Sequence, residues 1–461
     1  MISIAPPAML LSLLVVLLAG YPVAFSLAAV AGVFGMIGFA TGAFDAPFLL
    51  AMLFRVQGFF GNDNLLAIPM LIFMGVLLER TGLAEDIFRT LNRLSGRLAG
   101  GMACGTILVG ALLSSLTGFV SASVIAIGLI ALPAMLHAKY DERLATGVVA
   151  ASGTLAQILP PSLVLIVLAE QLEVSLQDIY RGAVVPGLLL IGGYLAYVLI
   201  AAWRNPMLAP VGALAPDAGH SRTLWIDVPL SIGTPLLLVG IVLLSIAFGV
   251  ATPSEGGAIG VSGALLLALG RRRLTLPRLR EAMDVTGILC ACIIFLLLGA
   301  SFFTLVFRGF DGHLWVEHLV SLLPAGKTGF VVAVNIVVFL LAFFLDFFEI
   351  AFIVLPLIGP IAHKIGVDMV WLTVLLAVNL QASFLHPPFG IALYNLRSVA
   401  PRSVPTSAIY WGAVPFIVIQ FAVLTMLILF PQLVVRAREV VNGPVDITIP
   451  VPETAPPTLR F

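Results

Sequence analysis

The chain has 461 residues, of which 61% are hydrophobic and only 10% charged, and its mean hydropathy is +1.14. A soluble domain carries about 25% charged residues, so no polar surface available here covers this much apolar side chain, and a soluble enzyme is excluded. Lys+Arg and Asp+Glu balance at 23 each, which leaves no basic footprint for nucleic acid. At about 20 apolar residues per crossing, residues 1–436 read as one all-α polytopic membrane domain. The Pro-rich tail 437–461 is expected to be disordered. Cys104, Cys290 and Cys292 all sit in apolar runs and read as small fillers rather than a disulfide frame or metal site.

In chain order, the N-terminal run MISIAPPAMLLSLLVVLLAGYPVAFSLAAV has no basic leading region and stays apolar past any cleavage site. It predicts two retained spans, 8–22 and 23–43, parted at Gly20-Tyr21-Pro22, rather than a signal peptide. Hydropathy places further spans at 63–79, 144–170, 180–203, 226–248, 255–270, 284–306, 370–396 and 407–432. Segment 84–98 differs: Ile87, Phe88, Leu91 and Leu94 recur at helical spacing among Arg89, Arg93 and Arg97, as in a helix lying along the interface. Glu255 in ATPSEGG follows a Thr-Pro helix start and is expected to complement the helix dipole.

Residues 101–135 and 329–362 are too long for one crossing and carry polar interruptions, SSLTGFVSAS and FLDFFE, at their centres. Broken backbone at membrane depth survives only where protein covers it or it lines a cavity. Both segments read as re-entrant hairpins, with two short ordinary spans each as the alternative. The clusters Arg80–Arg97, Lys139/Arg143, Arg204/Arg222, Arg271–Arg280 and Arg397/Arg402 then share one side, the cytoplasmic one by the positive-inside rule. Both termini, the acidic loop Glu170, Glu173, Asp178, and the cations Arg308 and Lys327 fall outside.

The chain also contains itself twice. A shift of 227 lays Pro160-Pro161 on Pro387-Pro388, Pro133 on Pro360, and the SSLTGF tip on LAFFLD. Repeat one covers about 63–203 and repeat two about 284–432. By the parity above the hairpins enter from opposite sides, which makes the repeat an inverted one, a construction shared by many secondary transporters.

Each proline pair removes two N–H donors and breaks the helical ladder, freeing carbonyls. Small polar residues precede each pair, Ser152, Gly153 and Thr154 in one copy, Asn379, Gln381 and Ser383 in the other. Carbonyl, hydroxyl and amide oxygens together suit a hard monovalent cation such as sodium. Hairpin one offers Ser114, Ser115, Thr117 and Ser121 at its tip, and half-helix N-termini there favour an anionic substrate. The competing reading is a pair of kinked helices whose hydroxyls bond their own carbonyls. Asp346 and Glu349 are intramembrane acids and functional candidates by cost alone. Asp346 is read as a cation ligand or acceptor of tip N–H groups, and Glu349 as a proton carrier or a structural acid. His386 stands beside the second proline pair as a candidate substrate contact or a structural residue. No phosphate loop and no H-E-x-x-H occurs, and nothing places a base beside a serine nucleophile, so no enzyme and no cofactor is expected.

The chain resembles the large membrane subunit, DctM type, of tripartite ATP-independent periplasmic (TRAP) transporters. The resemblance runs over residues 5–435. It is carried by LLAIPMLIFMGVLLERTGLAEDIF, GVVAASGTLAQILPPSLVLIVLAEQ, ATPSEGGAIG, FFLDFFEIAFIVLPLIGPIA and VNLQASFLHPPFGIALYNLRSVAP. It implies an elevator-type carrier of the wider ion-transporter superfamily in the bacterial inner membrane. Such a carrier works with a small DctQ-type membrane subunit and a periplasmic binding protein that delivers an organic acid anion, with Na+ as coupling ion. It further implies that both hairpins and both broken spans form the transport domain. Sodium would lie near Ser114, Ser152 and Thr154, and near Asp346, Asn379 and Ser383. Ser114, Ser115, Asp346 and the two Pro-Pro segments match the family pattern best. Where many members have LDPTAAI, this chain has LDFFEIA, closer to the branch associated with mannitol/chloroaromatic compounds and 2-oxo monocarboxylates. The alternatives are a self-sufficient sodium- or proton-coupled organic anion symporter of the same superfamily, and a channel or scaffold protein without coupled transport.

Overall fold

A computed structural model describes the chain apart from residues 1–3, 62, 96–97, 212–227, 322–325, 344, 346, 388–389 and 436–461. The tail 437–461 thus lies outside the described residues. Every regular element among the described residues is a helix. Six helices are long and apolar enough to cross a membrane, or up to nine if each sharply bent pair is one span. The ten hydropathy spans exceed that number partly because two of them are broken at mid-length and satisfy no straight-helix criterion.

Helices Ala5–Leu18 and Val23–Ala40 part where Gly20 and Pro22 stand, as the sequence predicts. Helix Ala46–Phe60 was not expected, because Arg55 and Gln57 interrupt its apolar run. Asp63–Arg80 is followed by the amphipathic helix Leu83–Ser95, which buries Ile87 and Phe88 and pairs exposed Arg89 with Glu85. Leu94, assigned to the apolar face, is exposed instead. Helix Pro253–Gly270 opens with a reciprocal cap: Glu255 N donates to Thr252 Oγ1 at 3.3 Å and Thr252 N to the Glu255 carboxylate at 2.8 Å. Glu255 therefore serves the helix start, as expected, and satisfies two orphan donors there.

Hairpin one is the pair Gly101–Thr117 and Val120–His137, turned at Gly118 with φ +64°. Its two feet meet the same strip of chain: Gly100 N donates to Ala209 O and Asp141 N to Leu208 O, each at 3.0 Å. The segment thus enters and leaves on one face of the bundle. The first broken span follows as Glu142–Thr154, a tight turn Leu155–Gln157, and Leu163–Gln171.

The second half repeats this order. Gly326–Leu341 rises to a break and returns as Phe347–Ile353 and Leu355–Lys364, which are bent by 50°. A Cβ at Gly366 would lie 3.2 Å from Lys327 Nζ, so the ends of hairpin two also meet. The second broken span is Met369–Ser383 and Ile391–Val399. The long helices Leu176–Arg204 and Thr406–Leu429 close the two halves, each with one internal proline, Pro186 and Pro415.

The halves exchange partners. Glu142–Thr154 lies on Thr406–Leu429, where Gly147 and Gly412 bring the backbones together: a Cβ on Gly147 would sit 2.0 Å from Gly412 O. Met369–Ser383 lies on Leu176–Arg204, with Val370 and Val374 packed on Gly182. Arginines distant in sequence converge on shared acids. Arg271 and Arg273 hold Asp86 at 3.3 and 2.8 Å, and Arg80 holds Glu281 at 2.7 Å.

Candidate functional site

Both broken helices begin with an aspartate cap, which fixes where each half-helix starts. Asp141 Oδ1 accepts from Arg143 N and Leu144 N, and Asp368 Oδ1 from Trp371 N at 2.9 Å. From these caps the two helices run inward until the proline pairs end them, and each end is met by a hairpin turn. A Cβ on Gly118 would lie 3.2 Å from Leu163 N and 3.9 Å from Pro161 O, so the tip of hairpin one sits on the first break. Phe343, in the turn of hairpin two, stacks on His386 of the second break with ring centroids 4.2 Å apart. Phe339 meets the same imidazole edge-on at 5.0 Å.

Hydrogen bonds join these parts. Ser114 Oγ reaches Ser152 O at 3.2 Å and Gly153 O at 3.4 Å, tying hairpin one to the end of the first half-helix. Gly153 admits Val124 of the return arm, whose methyl would lie 2.2 Å from any Cβ there. In the second half, Asn379 Nδ2 donates to Asn335 O at 2.7 Å and to Asn335 Oδ1 at 3.1 Å, tying hairpin two to the second half-helix. Between the halves, Gln381 Nε2 donates to Thr154 Oγ1 at 3.3 Å and to Tyr194 Oη at 3.2 Å, and Gln420 Nε2 donates to Tyr194 Oη at 2.7 Å. All these side chains are buried.

The hydroxyl hydrogens are engaged locally. Ser115 Oγ donates to Ala111 O, Ser152 to Val148 O, Thr154 to Ala151 O and Ser383 to Leu380 O. This is the back-bonded arrangement that the kinked-helix reading expects, yet each hydroxyl oxygen keeps acceptor capacity. The oxygens Asn379 Oδ1, Gln381 Oε1 and Gln420 Oε1 are buried with no donor among the described residues, and neither amide atom of Gln157 has a hydrogen-bond partner there. No group of three His, Cys, Asp or Glu that could hold a metal occurs among the described residues. The chemistry on offer is neutral oxygen, which suits a hard monovalent ion and not a transition metal.

Of the residues singled out by sequence, Ser114, Ser152, Gly153, Thr154 and Gln381 come together, and Asn379 joins Asn335 close by. Ser115 turns back onto its own helix, and Ser121 is half-buried in the first turn of the return arm. Pro160 and Pro161 are buried at the first break, while Pro387 is exposed. Glu349 is half-buried in the first turn of Phe347–Ile353. Asp346, Pro388 and the side chain of Thr117 lie outside the described residues. His363 and Lys364 stand at the surface, where Lys364 pairs with Glu317. Sequence reasoning missed Asn335, Gln157, Tyr194 and Gln420. A lone amide in an apolar run, as in AVNIVV or VIQFAV, was the available signal, since such a group is costly at membrane depth unless partnered.

Paired broken helices faced by two hairpin turns, inside an all-helical bundle of long apolar helices, define a polytopic membrane transporter. The family model for the tripartite ATP-independent periplasmic transporter, DctM component, matches residues 10–433, and the chain belongs to that family as a large permease component. It is 28% identical to the C4-dicarboxylate TRAP transporter large permease protein DctM of Pseudomonas aeruginosa over 80% of this chain and 84% of that one. It is 27% identical to the ectoine/5-hydroxyectoine large permease protein UehC of Ruegeria pomeroyi, over 93% of this chain and 97% of the relative. The sialic acid large permease protein SiaM of Vibrio cholerae is also 27% identical over the same shares. Among solved structures, the YdaH transporter of Alcanivorax borkumensis, described as having an unusual topology, superposes with TM-score 0.62 at 14% identity, covering 84% of this chain and 90% of its own.

Proposed function

We propose that the chain imports an organic acid anion across the bacterial inner membrane, driven by inward sodium flow. The anion is delivered by a periplasmic binding protein, and a small membrane subunit braces the permease. In this reading residues 63–203 and 284–432 are the two inverted repeats, and hairpins 101–135 and 329–362 with both broken spans form a transport domain that moves as an elevator. Both termini lie in the periplasm.

The observation that carries the reading is the pair of breaks, each capped by a hairpin turn and each surrounded by buried neutral oxygens. Sodium is held near Ser114, Ser152 and Thr154 in one half and near Asp346, Asn379 and Ser383 in the other. The oxygens are of the hard type sodium takes, and the acids stay few, so a bound anion is not repelled. Relatives handle C4-dicarboxylates, ectoines and sialic acid. The substrate here is a carboxylate of the kind carried by that range.

The test is reconstitution with the small subunit in liposomes, offering radiolabelled carboxylates with and without binding protein under imposed gradients. Uptake that needs both the binding protein and an inward sodium gradient is expected. Uptake without binding protein establishes the self-sufficient symporter instead, and non-saturating flux without a gradient establishes a channel.

A further inference from the structure

Away from the breaks, a cavity of about 750 Å3 opens between the long helix Leu276–Gly309 and the return arm of hairpin two. Its size lies within the usual range for small-molecule sites, roughly 300–1,000 Å3. It lies by the end of hairpin two, where His363 lines it. Part of its lining is cationic. Arg55 and Arg308 both line it, and Arg308 is the charge that bears on Arg55. Each guanidinium makes one long bond to a main-chain carbonyl, Arg55 Nη1 to Ser301 O and Arg308 Nη2 to Pro356 O, both at 3.4 Å. Neither has a carboxylate within salt-bridge distance among the described residues. Glu170, Glu173 and His363 also line it.

We propose that Arg55 and Arg308 form a vestibule site that holds the carboxylate of an incoming monocarboxylate, with Glu173 turning away substrates that bear a second negative charge. The proposal rests on the permease reading and adds a site to it that none of the broken-helix residues supplies. Two like charges lining one cavity repel, and a carboxylate between them removes that repulsion while filling several of the ten N–H donors that two guanidiniums carry. Arginine forks suit a planar carboxylate better than a spherical ion such as chloride. Glu173 lines the same cavity, so a ligand end that reaches it is accepted when neutral and repelled when it is a second carboxylate. Leu297, Ala300 and Phe352, which also line it, favour a hydrocarbon or aromatic body.

Phenylglyoxal labelling of guanidinium groups on the full chain in nanodiscs, read by peptide mass mapping, tests this without requiring transport. The probes are butyrate, its neutral amide butyramide, and succinate, which adds one carboxylate at the same chain length, each against matched chloride. Butyrate is expected to suppress labelling of Arg55 and Arg308 together, with exposed Arg402 unaffected. Butyramide and chloride should do nothing, and succinate should need a higher concentration than butyrate. Arg308→Gln should weaken butyrate's protection of Arg55 by about tenfold or more, the scale of a charge-assisted hydrogen bond, and Arg55→Gln should do the same for Arg308. The wild-type comparison needs neither variant to fold. No protection, equal protection by chloride, or succinate matching butyrate overturns the proposal. Protection without sodium-driven uptake in liposomes leaves the site standing and overturns the proposed sodium-driven import; uptake without protection does the reverse.

Discussion

Gln381 Nε2 reaches Thr154 Oγ1 across 3.3 Å, and the two residues stand 227 positions apart. The same shift carries Pro160 to Pro387, the cap Asp141 to Asp368, and Thr146 to Thr373, both of which bond back onto their own helices. Equivalent positions of a two-fold repeat can touch only at the axis that relates them. The axis therefore passes between the ends of the two half-helices, and the buried contacts of Tyr194 and Gln420 lie beside it. Each half-helix packs on the closing helix of the other half as well as on the hairpin of its own, so both halves bury each broken span. The breaks are shared property of the pair.

Tyr194 is the hub of that axis, since its hydroxyl takes N–H groups from both Gln381 and Gln420. Tyr194→Phe keeps the ring and its edge-on contact with Phe416 but strands two buried amide donors. Leaving a buried donor unsatisfied costs about 1–3 kcal/mol. The variant should unfold at a lower temperature than wild type in the same detergent. An unchanged midpoint would mean that the two amides find other partners and that the hub is dispensable.

The aspartate caps make a matched pair of tests. Asp141→Ala and Asp368→Ala each remove an acceptor for first-turn N–H groups, and loss of such a cap costs about 1 kcal/mol. Asparagine keeps the side-chain oxygen and should restore most of that stability at either position. Thermal unfolding of the four variants side by side checks this. If asparagine is no better than alanine, the carboxylate charge rather than the cap geometry matters.

Much of this organisation was legible in the residues. Hydropathy, the proline pairs and the 227 shift located both hairpins and both breaks, because each depends on strong local signals: apolar runs, missing N–H groups, and small polar residues where a helix must end. The helix start at Glu255 was equally visible from the Thr-Pro before it, although the sequence was read there for the helix dipole and the reciprocal bonds with Thr252 came from the structure. What stayed hidden was contact across the fold. Nothing in the local sequence of Tyr194 says that Gln381 and Gln420 point at it, or that Asn335 meets Asn379. Helix Ala46–Phe60 was missed for a different reason: Arg55 lowers its hydropathy, and that arginine is on a cavity wall.

Close backbone approach gives a third expectation. A Cβ on Gly147 would sit 2.0 Å from the Gly412 carbonyl oxygen, and one on Gly412 would sit 2.2 Å from Arg143 O. Both obstacles are main chain, which cannot rotate aside, so the helices must separate. Gly147→Ala should cost about 1–3 kcal/mol, the range for overpacking a tight interface. Gly192→Ala is the control, because a Cβ there meets nothing within 4 Å. Equal unfolding temperatures for the two variants would show that the interface between Glu142–Thr154 and Thr406–Leu429 is looser than its geometry.

The sodium reading turns on whether Thr154 acts through its oxygen or only as packing. Its hydroxyl donates to Ala151 O at 2.8 Å and accepts from Gln381 Nε2, which leaves one lone pair for an ion. Thr154→Val keeps the shape and removes the oxygen, whereas Thr154→Ser keeps the oxygen and removes a methyl group. Valine should lower stability by about 1–3 kcal/mol through the stranded Gln381 amide. That loss alone would not change how the protein responds to sodium. A ligand lost from the ion should raise the sodium concentration needed for half-maximal uptake by about tenfold, equivalent to roughly 1.4 kcal/mol. Serine should leave that concentration near wild type. Sodium titration of uptake, run beside thermal unfolding, separates the two effects. If valine lowers the unfolding temperature and leaves the sodium midpoint in place, Thr154 holds the axis together and the ion binds elsewhere.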